Sequence, residues 1–504
     1  MDVAWIRMGP RLNAQPRVWH LGQWFSAYHA PKKESKQTTS QDCACAQKMS
    51  TQGTGTEAPV TLEAWRVALL PSRLQRAPAW VEVPLGDGEH WAYLSPYQPR
   101  GLVAVLNQAA RALWQRLPPR AFAITEVPTT WYVALAGFYQ AGLLLDAQVP
   151  ASDFTSSTAT ALSLWVEVTR GCNLDCPYCY VPKDGPVLSM STLQAVLPSY
   201  LQEAARRGIP LRLKFAGGEP TLAWSHFQRL YRWARSAAQE AGAELQPVLL
   251  TNGTLLNAQR LAFLAQEGFF VAFSLDGVGP GHDAQRATRR GAPTAARVRE
   301  AVEQARALGV PFSLTNTITR HNVDEIPAFV AFALDLDAPF NLNFYRPTRW
   351  PDPLVPPEDR LIASLRAAME VLAARLPQQR LIDGLLDRAR FDAPHAFVCD
   401  AGRSYHALDV HGRTAACPML LGAASDLAAT FRVPAAQERA ECATCSWRFW
   451  CGGGCPITAA QVHGSMHAPS PYCRVYQALY PDLVRLEGLR VLRYGQYARS
   501  PLAV

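Results

Sequence analysis

Residues 162–179 read Leu162-Ser-Leu-Trp-Val-Glu-Val-Thr169-Arg-Gly-Cys172-Asn-Leu-Asp-Cys176-Pro-Tyr178-Cys179. Leu162–Val168 is a strand candidate, and the loop after it spaces three cysteines as C-x3-C-x2-C. Three thiolates on one short loop can hold three irons of a [4Fe–4S] cube, because soft thiolate ligands suit iron–sulfur clusters. The fourth iron would then have no protein ligand. The other reading is zinc. Zinc sites usually take paired C-x2-C units with a fourth Cys or His close by, and this loop offers none. On the thiols alone both readings stay open, with ligand softness on the side of iron.

Downstream, strand candidates recur at 211–215, 248–250, 269–274, 312–318 and 341–345. Ala-rich amphipathic stretches at 192–207, 224–241, 257–267 and 294–308 separate them. Alternation of this kind predicts parallel strands joined by crossover helices, with chemistry at the C-terminal strand ends. Those ends are distinctive. Gly217-Gly218-Glu219-Pro220 follows the second strand, Thr251-Asn252-Gly253 the third, and Ser274-Leu275-Asp276-Gly277 the fourth.

With the cysteine loop ending the first strand and this Gly-Gly-Glu-Pro ending the second, residues 160–350 resemble the radical S-adenosylmethionine superfamily. The resemblance implies an α/β fold, a partial (β/α)6 barrel. It implies that the open iron chelates the amino and carboxylate groups of S-adenosyl-L-methionine, and that an electron passed into the sulfonium yields a 5′-deoxyadenosyl radical. It places Tyr178 near the adenine. Gly217 and Gly218 would allow close backbone approach, and Glu219 would accept from the cofactor's ammonium. Ser274 and Asp276 would bond ribose hydroxyls or the substrate, local turn chemistry being an equal reading for each. Asn316 and Thr317 are weaker pointers. The stretch 282–290 looks like a loop the family often carries and is assigned no role.

A second group of thiols follows: Cys399-x12-Gly412-x4-Cys417, Cys442-x2-Cys445-x5-Cys451-x3-Cys455, then Cys473. Residues 398–480 are Gly-rich and show little periodicity, as expected where metal does the stapling. This spacing resembles the SPASM domain. By that resemblance Cys399, Cys417 and Cys455 bind one auxiliary cluster, and Cys442, Cys445, Cys451 and Cys473 a second, making three [4Fe–4S] clusters in all. Gly412 would turn a hairpin between Cys399 and Cys417. The first auxiliary set has only three cysteines; His395 or Asp392 would complete it, or its iron would stay open.

Composition narrows the class. At 504 residues the chain is about three domains long by the rule of roughly 150 residues each. Hydrophobic residues are 49% and charged residues 18%, as in soluble globular proteins. No run approaches the ~18–20 apolar residues of a membrane span, and no secretory signal is visible. The net charge of +8 is scattered, so neither nucleic acid nor membrane is expected as a partner. The twelve cysteines cluster rather than pair, which predicts metal binding in a cytoplasmic, reducing setting. Cys43 and Cys45 are expected to be incidental thiols on a polar tail.

The remaining boundaries are a largely disordered segment over 1–58, a winged-helix-like α+β unit over 60–150, a helical linker over 351–397 and a C-terminal tail over 481–504. The 60–150 unit looks like the leader-binding module fused to peptide-maturing radical enzymes, which captures a leader by strand addition. The resemblance therefore implies an oxidoreductase that abstracts hydrogen from a ribosomally synthesised peptide and installs a crosslink, fed by an external donor such as flavodoxin or ferredoxin. One alternative is an anaerobic sulfatase-maturing-type enzyme oxidising a Cys or Ser of a protein. Such enzymes carry an Asp after the second SPASM cysteine, where this chain has Pro418. Another alternative is a non-catalytic iron–sulfur electron carrier or peptide-binding scaffold.

Overall fold

The computed structural model describes residues 5–8, 70–97, 103–151, 154, 159–347, 350–377, 382–387, 389, 391, 394–421, 431–494 and 496–499. Cys43, Cys45 and Asp392 lie outside them.

The N-terminal unit contains β1 (Trp5–Met8), β2 (Arg73–Arg76), β3 (Val81–Pro84), β4 (His90–Leu94), β5 (Ala104–Asn107), β6 (Phe122–Ala123) and β7 (Leu144–Asp146). β3 and β4 form an antiparallel hairpin. In its turn the Asp87 carboxylate accepts the amides of Glu89 and His90 at 3.0 and 2.9 Å. Leu106, Ala109, Leu113 and Leu117 fall at helical spacing, which predicts a helix over 103–117; the helix runs only from Gln108 to Arg116. Residues 104–107 pair with β4 instead, and the Asn107 side chain caps the helix by accepting from Ala110 at 3.0 Å. Tertiary pairing has overridden the local period there. Trp114, Phe122, Leu135 and Phe138 fill the core of this unit. Within the segment expected to be disordered, Trp5–Met8 is a strand paired with β5.

The central sheet has eight strands. Six are parallel and adjacent in chain order: β8 (Leu162–Thr169), β9 (Leu211–Gly217), β10 (Leu245–Thr251), β11 (Phe270–Ser274), β12 (Phe312–Ile318) and β13 (Phe340–Phe344). All residues of β8 are buried, as a strand covered on both faces must be. The sheet continues past β8 into a C-terminal hairpin, β14 (Tyr405–Leu408) and β15 (Thr414–Ala415). β14 runs parallel to β8, with Leu408 opposite Val166. Gly412 sits in the hairpin turn at φ +87°.

An ion-pair network locks this hairpin to the first barrel strand. Arg170 donates to Glu167 at 3.0 Å and reaches Asp409 at 3.5 Å, all three side chains buried. Glu167 also accepts the Val410 amide at 3.2 Å. Asp409 in turn holds the β14–β15 turn by accepting the amides of His411 and Arg413 at 2.9 and 2.8 Å.

The expected C-terminal tail is instead structural. One helix runs Cys473–Tyr494, burying Val475, Leu479, Leu483, Val484 and Val491. Gly488 abuts the N-terminal unit so closely that a Cβ would lie 2.7 Å from Leu85. β16 (Gln496–Arg499) then pairs with β1. Among the described residues no helix is long and apolar enough to cross a membrane.

Candidate active site

The cysteine loop leaves β8 at Thr169 and is held by backbone and side chain from three other strand ends. Gly218 donates its amide to Thr169 O at 2.7 Å, and Glu219 to Gly171 O at 2.8 Å. Gly217 lies at φ +124°, and a Cβ there would be 2.3 Å from Thr169 O; at Gly218 it would be 2.2 Å from Gly171 O. The glycines are therefore required by the loop that carries the cysteines. Asn252 donates to Asn173 Oδ1 at 2.9 Å and approaches Cys172 Sγ at 3.9 Å. Asp175 N and Arg289 N close the far side with bonds to Ala287 O and Asn173 O at 3.1 and 3.3 Å.

Glu219 is fully buried. Its carboxylate accepts from Thr221 N at 3.0 Å, the Thr221 hydroxyl, the Thr251 hydroxyl at 2.7 Å and Asn252 N at 2.7 Å. Oε1 takes three of these donors and Oε2 only the Asn252 amide, so the carboxylate ties the second and third strand ends together while Oε2 keeps an acceptor position. Burial pushes its acidity toward the neutral form, against those bonds.

Asp276 is likewise fully buried. It accepts from the Tyr178 hydroxyl, from Gln285 at 2.7 Å, from Thr317 N at 2.9 Å and from Arg286 at 3.4 Å. Arg286 also donates to the Tyr178 hydroxyl, and its guanidinium is within electrostatic reach of Cys176. His282 accepts the Asp276 amide on Nδ1 at 3.0 Å, while Nε2 faces Thr294 Oγ1 at 3.1 Å. Burial lowers His282 to about 4, which keeps it neutral and suited to accepting. The stretch to which sequence reasoning gave no role thus positions Tyr178. Its Arg286 is 108 residues from Tyr178 in sequence, and no motif signals that contact. Ser274, half-buried, ends β11.

Of the second cysteine group, Cys442, Cys445, Cys451 and Cys473 line one cavity of about 70 Å³ together with Trp447 and Tyr480. Cys399 and Cys417 pack against one small cluster around Val398 and Val433. The Arg346 guanidinium, paired with Asp387 at 2.8 and 2.7 Å, feels the Cys455 thiol. Tyr180 is 47% exposed and lies within electrostatic reach of both Cys179 and Cys417. His395, buried, bonds Phe449 O through its amide at 2.9 Å. Among the described residues, no three His, Cys, Asp or Glu side chains converge on a single-ion position.

The residues fit a cluster and an adenosyl cofactor. Burial pushes the thiols of Cys172 and Cys473 up to about 11 and Cys451 up to about 12, so these thiolates need a metal to form at neutral pH. Two buried donors lack a protein partner: Arg286 Nε, beside Tyr178, and Asn316 Nδ2 on β12, whose Oδ1 accepts from Asn322 at 3.3 Å. Such donors suit a ligand rich in acceptors, and S-adenosylmethionine, with its carboxylate and ribose, is one.

The comparisons with known proteins agree with this geometry. Residues 166–333 match the Radical SAM superfamily. The chain is 28% identical over 342 residues to a PqqA peptide cyclase of Rhodopseudomonas palustris, covering 62% of this chain and 86% of that one. It is 24% identical over 381 residues to a serine-type anaerobic sulfatase-maturating enzyme of Klebsiella aerogenes, covering 68% and 89%. The solved structure of native anSMEcpe with bound AdoMet and Cp18Cys peptide shares the fold, with a TM-score of 0.53 at 20% identity over 65% of this chain and 99% of that one. Superfamily match, homologues and shared fold converge on one conclusion: residues 166–333 are a radical SAM domain, and the chain is a radical SAM enzyme homologous to the PqqA peptide cyclases and anaerobic sulfatase-maturating enzymes.

Proposed function

We propose that this enzyme modifies a ribosomally synthesised peptide, installing a crosslink with net loss of two hydrogens, and that it carries auxiliary clusters on Cys399, Cys417 and Cys455 and on Cys442, Cys445, Cys451 and Cys473. When bound, the Cys172–Cys176–Cys179 cluster and S-adenosylmethionine would supply a 5′-deoxyadenosyl radical able to take hydrogen from carbon. The chain's own residues do the rest. Asn252 and the 287–289 backbone hold the thiolate loop, Arg286 and Asp276 orient Tyr178, and the barrel wall keeps water from the reacting centre.

The observation that supports a macromolecular substrate is the placement of the C-terminal cysteine hairpin. β14 lies in register on β8, and Tyr180, exposed beside Cys179 in the chain, is within electrostatic reach of Cys417. The 60–150 unit supplies a free sheet edge: β3 pairs only with β4 among the described strands. An extended leader added there would bring affinity through backbone bonds. The homology to a sulfatase-maturating enzyme supports a second reading, oxidation of a Cys or Ser in a protein.

Co-expression with a short peptide encoded beside the gene, followed by mass spectrometry, separates the two. Loss of two hydrogens with fragmentation blocked between two residues supports a crosslink. Conversion of a single Cys or Ser to an aldehyde supports the second reading. A peptide of unchanged mass, with 5′-deoxyadenosine still formed, would overturn the peptide assignment.

A further inference from the structure

Arg439 is among the largest fully buried side chains in the molecule. Its Nη1 donates to Gly453 O and, at 3.4 Å, to Ala468 O. Its Nε and Nη2 have no partner. Among the described residues no carboxylate answers its charge. Burial works against its charge and prevails; the neighbours that favour the charge are the sulfurs of Cys442, Cys451, Cys455 and Cys399, drawn from both auxiliary cysteine sets. An arginine does not discharge in a protein, and a buried cation without an anion is strongly destabilising.

The site is built around this side chain. Gly453 lies at φ +83°, and a Cβ there would be 2.8 Å from Arg439 Nη1 and 3.0 Å from Cζ. The middle glycine of Cys451-Gly-Gly-Gly-Cys455 is therefore required by the guanidinium lying against it. The backbone carbonyl of Arg439 accepts the Cys442 amide at 2.9 Å, so the same residue starts the turn that carries a ligand.

We propose that Arg439 is the shared counter-ion of the two auxiliary clusters, a positioning residue that raises both their reduction potentials. The inference rests on the cluster assignment made above. A cluster gains one negative charge on reduction, and net charge and hydrogen bonds at the sulfurs are among the factors that set its potential. A fixed cation between two clusters favours the reduced form of each. It would therefore hold both auxiliary sites ready to accept an electron.

The test is an EPR-monitored redox titration of the reconstituted full-length chain, wild type against Arg439→Met and Arg439→Lys. The cluster on Cys172, Cys176 and Cys179 serves as internal reference. Loss of the charge should disfavour reduction of both auxiliary clusters about tenfold or more, a fall of ~59 mV per tenfold for one electron. Arg439→Lys should stay near wild type. If Arg439→Met fails to retain auxiliary iron, retention by Arg439→Lys supports the counter-ion role and equal loss overturns it. Unchanged potentials in an iron-replete Arg439→Met protein would overturn this inference alone. Wild-type protein holding only the Cys172 cluster would overturn the cluster assignment, and the inference with it.

Discussion

Replacing Gly217 by alanine perturbs the junction on which the cysteine loop rests. The backbone there sits at φ +124°, and the new Cβ would lie 2.3 Å from Thr169 O and 3.3 Å from the Glu167 side chain. Holding a non-glycine residue in that region costs about 1–3 kcal/mol. Overpacking against backbone that cannot swing aside adds about 1–3 kcal/mol. The sum, roughly 2–6 kcal/mol, is a large fraction of the ~5–15 kcal/mol that holds a domain folded. For a barrel of this size each kcal/mol moves the melting temperature by about 2–4 °C, so Gly217→Ala should melt about 4–24 °C lower. Relief of the clash would push Thr169 and Gly171 outward and carry Cys172 with them. The protein should therefore retain less iron on the loop even where it stays folded. Differential scanning calorimetry with iron and sulfide analysis reads both effects. A variant with wild-type melting temperature and full loop iron would refute the claim that these glycines serve the cysteine loop.

Glu219→Gln places an amide N–H against the Asn252 N–H that now donates to Glu219 at 2.7 Å. It should cost about 1–3 kcal/mol and weaken S-adenosylmethionine binding, read by calorimetry; unaltered stability would contradict the carboxylate's bridging role. Arg170→Met leaves Glu167 buried without its cation and removes one from Asp409. The expected loss is about 3–5 kcal/mol, with proteolytic cleavage appearing between residues 398 and 421; intact resistance would show that the hairpin docks by other means. In metal-free protein Cys172, raised to about 11 from 9.0, carries about a hundredfold less thiolate than an ordinary cysteine at pH 8. Its alkylation by iodoacetamide, followed by peptide mapping, should climb about tenfold per pH unit through pH 10, and a plateau near pH 9 would contradict the burial of that thiol.

Strands and cysteine spacings were legible because they are local: β8 to β13 fall within a few residues of their expected places. The fourth-strand reading gave Asp276 either a bond to ribose or substrate or local turn chemistry; in the fold its carboxylate also meets Tyr178, Gln285, Arg286 and Thr317. Such closure depends on residues distant in sequence, which a linear motif does not show. Arg439 was illegible for the same reason, an ordinary arginine until Gly453, 14 residues on, packs against it. The Cys473–Tyr494 helix escaped notice because its apolar positions meet partners on three separate units. At β5, pairing with β4 defeated a helical period that extends smoothly into the following helix.

The central claim is a three-thiolate cluster that splits S-adenosylmethionine. Anaerobic reconstitution of wild type and Cys176→Ala, followed by chromatography for 5′-deoxyadenosine after reduction, tests it most directly. The account predicts 5′-deoxyadenosine from wild type and none above background from Cys176→Ala. Equal cleavage by both proteins, or wild type that binds zinc and yields none, would contradict it.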